Sequence, residues 1–383
     1  MSHRVVILGG GVGGTLVANL LARKLPRGQA QITLVDQTGQ HFYQPGWLYL
    51  PFGEMQPQQL VRSERSLLSK RVELRVTGAE RIDPVAQTVA LDGGEALPYD
   101  TLVIATGARL APETLPGFAE SAHHFYSTEA ALKLQEALRQ FKGGKVVIGV
   151  ADLPYKCPPA PLEFAFLLEA YLERHGTRQA TEMTYLSPIN RAFTIETVSE
   201  FVTPMLEQRG IALQTFFNTE SIDPAAKTIT SLEGDTLPYD LLVLIPPHRG
   251  SKLVADSGLG DEQGWLPTDR ETLQCKAHPN IYGLGDATDL PVSKSGSAAH
   301  FEARVIAERI VDTVRVGMGQ APSGTHTYDG HVMCFLETGH GMATQLAFDY
   351  HHPPHPPRPS PIYHLEKTAF NRAYWYLVPR GLV

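Results

Sequence analysis

The chain has 383 residues, a hydrophobic fraction of 43% and a formal net charge of -7, which places it among folded globular proteins of two or three domains. The negative balance and the absence of a Lys/Arg-rich run exclude nucleic acid as a partner. No stretch approaches the roughly 18 apolar residues of a membrane-crossing helix, and three cysteines are too few for a secreted disulfide framework.

The first element begins almost at once, with no leader before it, which points to the cytoplasm or to a membrane face reached from it. "RVVILGGGVGGTLVANLLARKL" reads as a buried parallel strand over Val5–Leu8, then glycines that fit G-x-G-x-x-G. A helix follows with Leu16, Leu20, Leu21 and Leu25 on its apolar face. A second strand over Ile32–Val35 ends at Asp36. The glycine run is Gly9, Gly11, Gly13 and Gly14: Gly9 makes the tight turn, Gly11 admits a pyrophosphate, and Gly14 permits close helix packing. The helix N-terminus presents free N–H groups to the phosphates, and Asp36 accepts hydrogen bonds from a ribose. Strand, glycines, helix, strand and acid in that order predict a dinucleotide site.

Two later stretches end a strand in small residues, which lets the backbone approach a ligand. "LPYDTLVIATGARL" does so at Ala105, Thr106 and Gly107. "NIYGLGDATDLPVSKSGSAAHFEARVIAERI" does so at Gly285 and Asp286. A helix over Ser297–Ile310 then aims its N-terminus at the same place, where its dipole favours negative charge. These stretches resemble the ATG and GD motifs of the two-dinucleotide-binding flavoproteins. The resemblance implies bound FAD, with Asp286 on its ribityl or phosphate region.

Between them lies "KVVIGVADLPYKCPPAPLEFAFLLEA", a strand over Val146–Val150 and a helix begun by Glu163–Tyr171. Only Gly149 remains of a second fingerprint, and Pro154, Pro158, Pro159 and Pro161 remove N–H donors. The expectation is a second Rossmann-like unit with a degenerate nucleotide site. The fold class is therefore α/β, with two Rossmann-like domains: residues 1–110 with 274–321 for FAD, and 111–273 for the degenerate unit. Residues 322–383 follow as a C-terminal interface segment.

What replaces the glycines, "PYKCPPAPLE", resembles the sulfide:quinone oxidoreductase family and its flavocytochrome c sulfide dehydrogenase relatives. "YDLLVLIPPHRG", the loop that carries Lys294, and "HVMCFLETGHGMATQLAFDY" with Cys334 on a strand extend the resemblance over nearly the whole chain. It implies that Cys157 and Cys334 form a redox pair beside the flavin. Hydrosulfide attacks their disulfide, a persulfide forms on one of them, and electrons reach a quinone through FAD. Which cysteine carries the persulfide stays open. Lys156 either lowers a thiol pKa or is a solvated lysine. Glu163 is either a proton carrier or an ordinary first-turn acid. His123 and His124 are either bases at the sulfide entry or surface residues. The family's third functional cysteine is missing after the ATG motif. The flavin-linking cysteine is missing from His41–Trp47, so FAD is expected to be noncovalent. Cys275 matches no family cysteine and reads as structural.

After the polyproline-like Pro353–Pro361 comes "IYHLEKTAFNRAYWYLVPRGLV". Phe370, Tyr374, Leu377 and Val378 recur at helical spacing, with Lys367, Arg372 and Arg380 as its basic residues. Such a helix either lies in a membrane interface or packs on the protein's own core or a second copy. His351, His352 and His355 lack partners at ligand spacing, and no metal is expected. Phe335, Phe370 and Trp375 are candidates for quinone contact. Two other readings remain: an NAD(P)H-dependent flavoprotein, as in type II NADH dehydrogenases or persulfide reductases, and a flavin-binding sulfur sensor without turnover. A sulfide dehydrogenase subunit is disfavoured by the same missing cysteine and leader.

Overall fold

Each apolar β-branched run becomes a buried parallel strand. The computed structural model, which describes residues 2–382, sorts these strands into two sheets. The first sheet holds β1 (His3–Leu8), β2 (Ala30–Asp36), β3 (Val72–Val76) and β4 (Thr101–Ile104). The second holds β5 (Gly144–Val150), β6 (Thr181–Leu186), β7 (Ile211–Gln214) and β8 (Leu241–Ile245). Strand β9 (Ile281–Gly283) then returns to the first sheet beside β4. The orders are β9-β4-β1-β2-β3 and β7-β6-β5-β8, parallel throughout. Strand order reverses between β1 and β4 in one sheet and between β5 and β8 in the other. Each reversal opens a crevice outside the carboxyl ends of the strands.

Helix α1 (Val12–Lys24) crosses from β1 to β2, and α2 (Ala160–Arg174) crosses from β5 to β6. Helix α3 (Gly296–Gly317) packs along α1, so both helices bring an N-terminus to the first crevice. An antiparallel pair, Arg109–Leu110 with His248–Arg249, stitches the two units together. The stretch after it, counted on sequence with the second domain, puts Val254, Leu259 and Leu266 into one core with Val6, Leu8 and Ile82 of the first unit.

Strands β10 (Val332–Gly339) and β11 (Met342–Phe348) form a hairpin that packs on α2. The chain then ends in α4 (Pro361–Leu377), which packs on β11. Lys367, assigned on sequence to the helix's basic residues, is buried, because it meets an acid from α2. Tyr374, Trp375 and Val378 are buried, whereas Ile362, Leu365, Phe370 and Tyr376 are exposed. The two readings of this helix therefore divide between its faces. The inner face is pinned by a fully buried chain: Thr15 Oγ1 donates to Glu64 at 2.7 Å, His41 Nδ1 lies 3.1 Å from the same carboxylate, and His41 Nε2 lies 2.7 Å from the Tyr374 hydroxyl. The Trp375 indole donates to the Gln59 carbonyl at 3.2 Å. No helix among the described residues is long and apolar enough to cross a membrane.

Candidate active site

Three strand ends of the first sheet converge on its crevice: Gly9 after β1, Ala105, Thr106 and Gly107 after β4, and Gly285 and Asp286 after β9. Gly9 sits at φ +105°, and a Cβ there would strike the Ala105 carbonyl. A Cβ on Gly14 would strike the Gly9 carbonyl, and one on Gly13 would lie 2.7 Å from Leu284 Cδ1. Gly11 differs, because a Cβ there would meet no protein atom within 4 Å. Thr106 Oγ1, Asp286 Oδ1 and Glu302 Oε1 are buried at this end without a hydrogen-bond partner. Burial raises the Asp286 carboxyl, and Lys156 and Lys294 pull it back. Orphaned polar atoms beside an open glycine face match the sugar and phosphate groups of a dinucleotide, so the residues present fit one. Asp36 Oδ2 accepts the Gly10 N–H at 2.8 Å, while Oδ1 takes the Thr38 and Gly39 N–H groups. Oδ2 keeps a lone pair for a ribose hydroxyl. The Lys294 ammonium donates to the Thr288 carbonyl at 2.5 Å and lies 3.9 Å from the Trp265 ring centre, which stiffens the loop before α3.

The second crevice has been rebuilt. A Cβ on Gly149 would lie 2.6 Å from Leu186 Cβ, so this glycine serves strand packing. Cys157 follows in the left-handed conformation, φ 54°. Its N–H donates to the Lys294 carbonyl at 2.6 Å, which ties the thiol loop of the second unit to the flavin-type loop of the first. Ser295, whose Oγ caps α3 by accepting the Ala298 N–H at 3.2 Å, lowers the Cys334 thiol on β10. Both thiols are free and half-buried. They share one electrostatic environment: burial pushes Cys157 up and Cys334 up to about 12, the Glu163 charge adds to both, and Lys367 offsets both. The Cys334 charge raises Cys157 as well, and the two residues, far apart in sequence, pack against the same hydrophobic core.

Beneath the thiols, Glu163 stands in the first turn of α2, 3% exposed. Its Oε1 accepts from the Lys367 ammonium and, at 2.8 Å, from the Glu337 N–H. Burial raises Glu163, and Lys367 opposes that shift. Burial alone would lower Lys367, but Glu163, Tyr49 and Glu337 together hold it well above the ordinary lysine value. Glu163 is thus both the first-turn acid and a buried ion-pair partner.

Lys156 is not solvated, because the Gln44 and Trp47 segment covers it. Its ammonium donates to Gln44 Oε1 at 3.0 Å and lies 5.3 Å from the Trp47 ring centre. His123 and His124 are not surface residues either. The His123 backbone bridges to β8, and burial lowers His123, and His124 to about 4. Phe335 is half-buried beside Cys334 on β10, while on α4 Phe370 is exposed and Trp375 buried. Cys275 is 4% exposed in the core behind the first sheet.

Sequence reasoning missed Lys367, Ser295 and His248. His248 is fully buried just after β8, with Nδ1 2.8 Å from the Pro246 carbonyl and Nε2 unpartnered. Burial lowers it to about 3, with Lys156 adding to the shift. The echo between "LPYDTLVIATG" and "LPYDLLVLIPPH" held a signal for it, because it places His248 at the strand end that matches the ATG motif.

Two Rossmann-type sheets with a dinucleotide crevice and thiols at the second switch point define a dinucleotide-binding oxidoreductase. Residues 3–321 match the pyridine nucleotide-disulphide oxidoreductase family, and the chain belongs to that family. This membership implies a flavin cofactor. The chain is similar to mitochondrial sulfide:quinone oxidoreductase of Mus musculus, 28% identical over 359 residues that cover 91% of this chain and 78% of the relative. The crystal structure of sulfide:quinone oxidoreductase from Aquifex aeolicus matches with a TM-score of 0.88 at 26% identity, covering 99% of this chain and 92% of that one. Type II NADH:quinone oxidoreductase of Mycobacterium tuberculosis is 25% identical over 321 residues, covering 76% and 67%.

Proposed function

We propose that the protein is an FAD-dependent sulfide:quinone oxidoreductase that works through Cys157 and Cys334. One observation carries this reading: the residues that would hold a second nucleotide are replaced by a thiol loop tied to Lys294 and grouped with Cys334, Glu163 and Lys367. FAD is held noncovalently by Gly9, Gly11, Gly13, Gly14, Asp36, the Ala105–Thr106–Gly107 turn, Gly285, Asp286 and the Lys294 loop, since no cysteine lies in His41–Trp47. Residues 1–110 with 274–321 form its domain together with the stretch 254–266 that shares its core, the rest of 111–273 the second unit, and 322–383 the segment that supplies Cys334. The exposed Ile362, Leu365, Phe370 and Tyr376 of α4 suit contact with a membrane surface, where quinone resides.

In the oxidised enzyme Cys157 and Cys334 are joined. Hydrosulfide attacks one sulfur, a new S–S bond forms as the old one breaks, and one cysteine leaves as persulfide and the other as thiolate. Hydrosulfide is the nucleophile, so no protein thiolate is needed to attack. The raised thiol values make the departing thiolate a poorer leaving group, and the Lys367 charge, which offsets the rise at both sulfurs, eases its departure. Bound flavin supplies a two-electron acceptor that is reoxidised by quinone. Over a full turnover, hydrosulfide, one proton and quinone become zero-valent sulfur and quinol.

Anaerobic titration tests the reading. Sulfide bleaches the oxidised-flavin band and a soluble quinone restores it. Bleaching by NADH but not by sulfide would contradict it and favour the NADH-dependent alternative.

A further inference from the structure

The turnover written above consumes a proton that hydrosulfide does not supply. Around the Glu163–Lys367 pair, the structure holds acid–base groups that the sulfur chemistry does not use. Glu337 on β10 is 1% exposed. Its carboxylate accepts from the Tyr49 hydroxyl at 3.0 Å and lies 3.0 Å from His364 Nδ1. His364 belongs to the first turns of α4, and its side chain is 35% exposed. The inner end is joined in two ways. The Glu337 N–H donates to Glu163 Oε1 at 2.8 Å. The Lys367 ammonium, paired with Glu163, lies 5.6 Å from the Tyr49 ring centre and feels the Glu337 charge. The groups facing His364 and its partner are thus Glu337 from β10, Tyr49 from the 3-10 turn Gln44–Tyr49, Glu163 from α2, and Lys367 one turn along α4.

Glu337 is a buried carboxylate held by the Tyr49 hydroxyl and capped by a half-exposed imidazole, and such a group is costly to keep without partners of this kind. An imidazole has two ring nitrogens, so it can take a proton on one and release one from the other. Lys367 carries three donors on a flexible stem; it is hydrogen-bonded to Glu163 and feels the Glu337 charge, so a swing of the stem connects the two carboxylates.

We propose that His364 and Glu337 form the solvent end of a proton relay that runs through Lys367 to Glu163 and delivers the proton quinone takes up on reduction. This rests on the sulfide:quinone reading above. In each turnover His364 gains a proton from water, Glu337 receives it and Lys367 transfers it to Glu163. Quinone gains two electrons and two protons, one proton originating in hydrosulfide and one in this relay. No sulfur bond is made or broken along it.

The test separates the two half-reactions by rapid mixing of the purified holoenzyme: sulfide-driven bleaching first, then reoxidation by a soluble quinone from pH 6 to 9. His364→Gln is expected to slow reoxidation about tenfold at the alkaline end, less than the 10²–10⁴ of a group acting directly on substrate. It slows the sulfide half-reaction less, and added imidazole restores the rate. Glu337→Gln loses the same pH dependence and is not restored by imidazole, and a thermal melt of each variant establishes that it is folded. Reoxidation of His364→Gln at the wild-type rate across the pH range overturns the relay, as does a loss that imidazole does not restore. Failure of sulfide to bleach the wild-type protein overturns the underlying function instead.

Discussion

The two Rossmann-type units share one plan and differ at the switch point. Between β1 and β4, Gly11 leaves open space and Thr106 and Asp286 keep orphaned polar atoms, as a dinucleotide site requires. Between β5 and β8, Gly149 lies within the strand and packs on Leu186, prolines remove donors, and Cys157 and His248 occupy the loop ends. Parallel-sheet topology delivers loop residues to a crevice whatever those residues are. In the first unit they are donors and space for phosphates. In the second they are a thiol loop bonded to the Lys294 carbonyl of the first unit and imidazoles whose protonation burial disfavours. The duplicated scaffold thus converts a binding site into a reaction site by changing side chains at the strand ends.

The largest effect that would sharpen this contrast is at Gly11. Gly11→Val adds bulk where no protein atom stands, so the variant folds yet is isolated without flavin, read as loss of the visible band with an unchanged circular dichroism spectrum. Retention of full flavin content would break the assignment of this face to the cofactor. Next is the buried ion pair. Lys367→Ala leaves Glu163 uncompensated and is expected to cost about 3–5 kcal/mol in denaturant unfolding. The double variant Glu163→Gln with Lys367→Met recovers most of it. Additive losses would mean that the two residues do not act as a pair.

A smaller effect belongs to the second crevice. His124 and His248 are held below their ordinary value by burial, to about 4 and about 3. The unfolded chain therefore binds protons below pH 6.5 that the native chain refuses. Stability is full above pH 6.5 and falls as pH drops from there towards 4, by on the order of 1 kcal/mol per pH unit for each group. His248→Gln makes that slope shallower in pH-dependent melts. An unchanged slope would mean that His248 is not buried as a neutral group.

Much of this was legible in the chain itself. The first unit is local: strand, glycines, helix and acid lie within Val5–Asp36, and short-range spacing carries the signal. The degenerate second unit was legible for the same reason, as was the placement of Cys334 on a strand. Pairings across the chain were not. Glu163 and Lys367 are separated by 204 positions, and a lysine on an amphipathic helix looks solvated until an acid from another element faces it. His41 is pinned to Tyr374 by contacts that no period in the sequence encodes. The half-buried state of His123 and His124 likewise depends on β8 and on Lys156 packing nearby.

The central claim is that Cys157 and Cys334 act together where nucleotide-binding glycines once would have stood. It is tested most directly by sulfide-dependent flavin reduction in four purified proteins: wild type, Cys157→Ser, Cys334→Ser and Cys275→Ser. The account predicts rapid bleaching in wild type and Cys275→Ser, and a loss of at least about 10²-fold in each of the other two, because a nucleophilic relay fails when either sulfur is removed. Bleaching at the wild-type rate in Cys157→Ser or Cys334→Ser would contradict it.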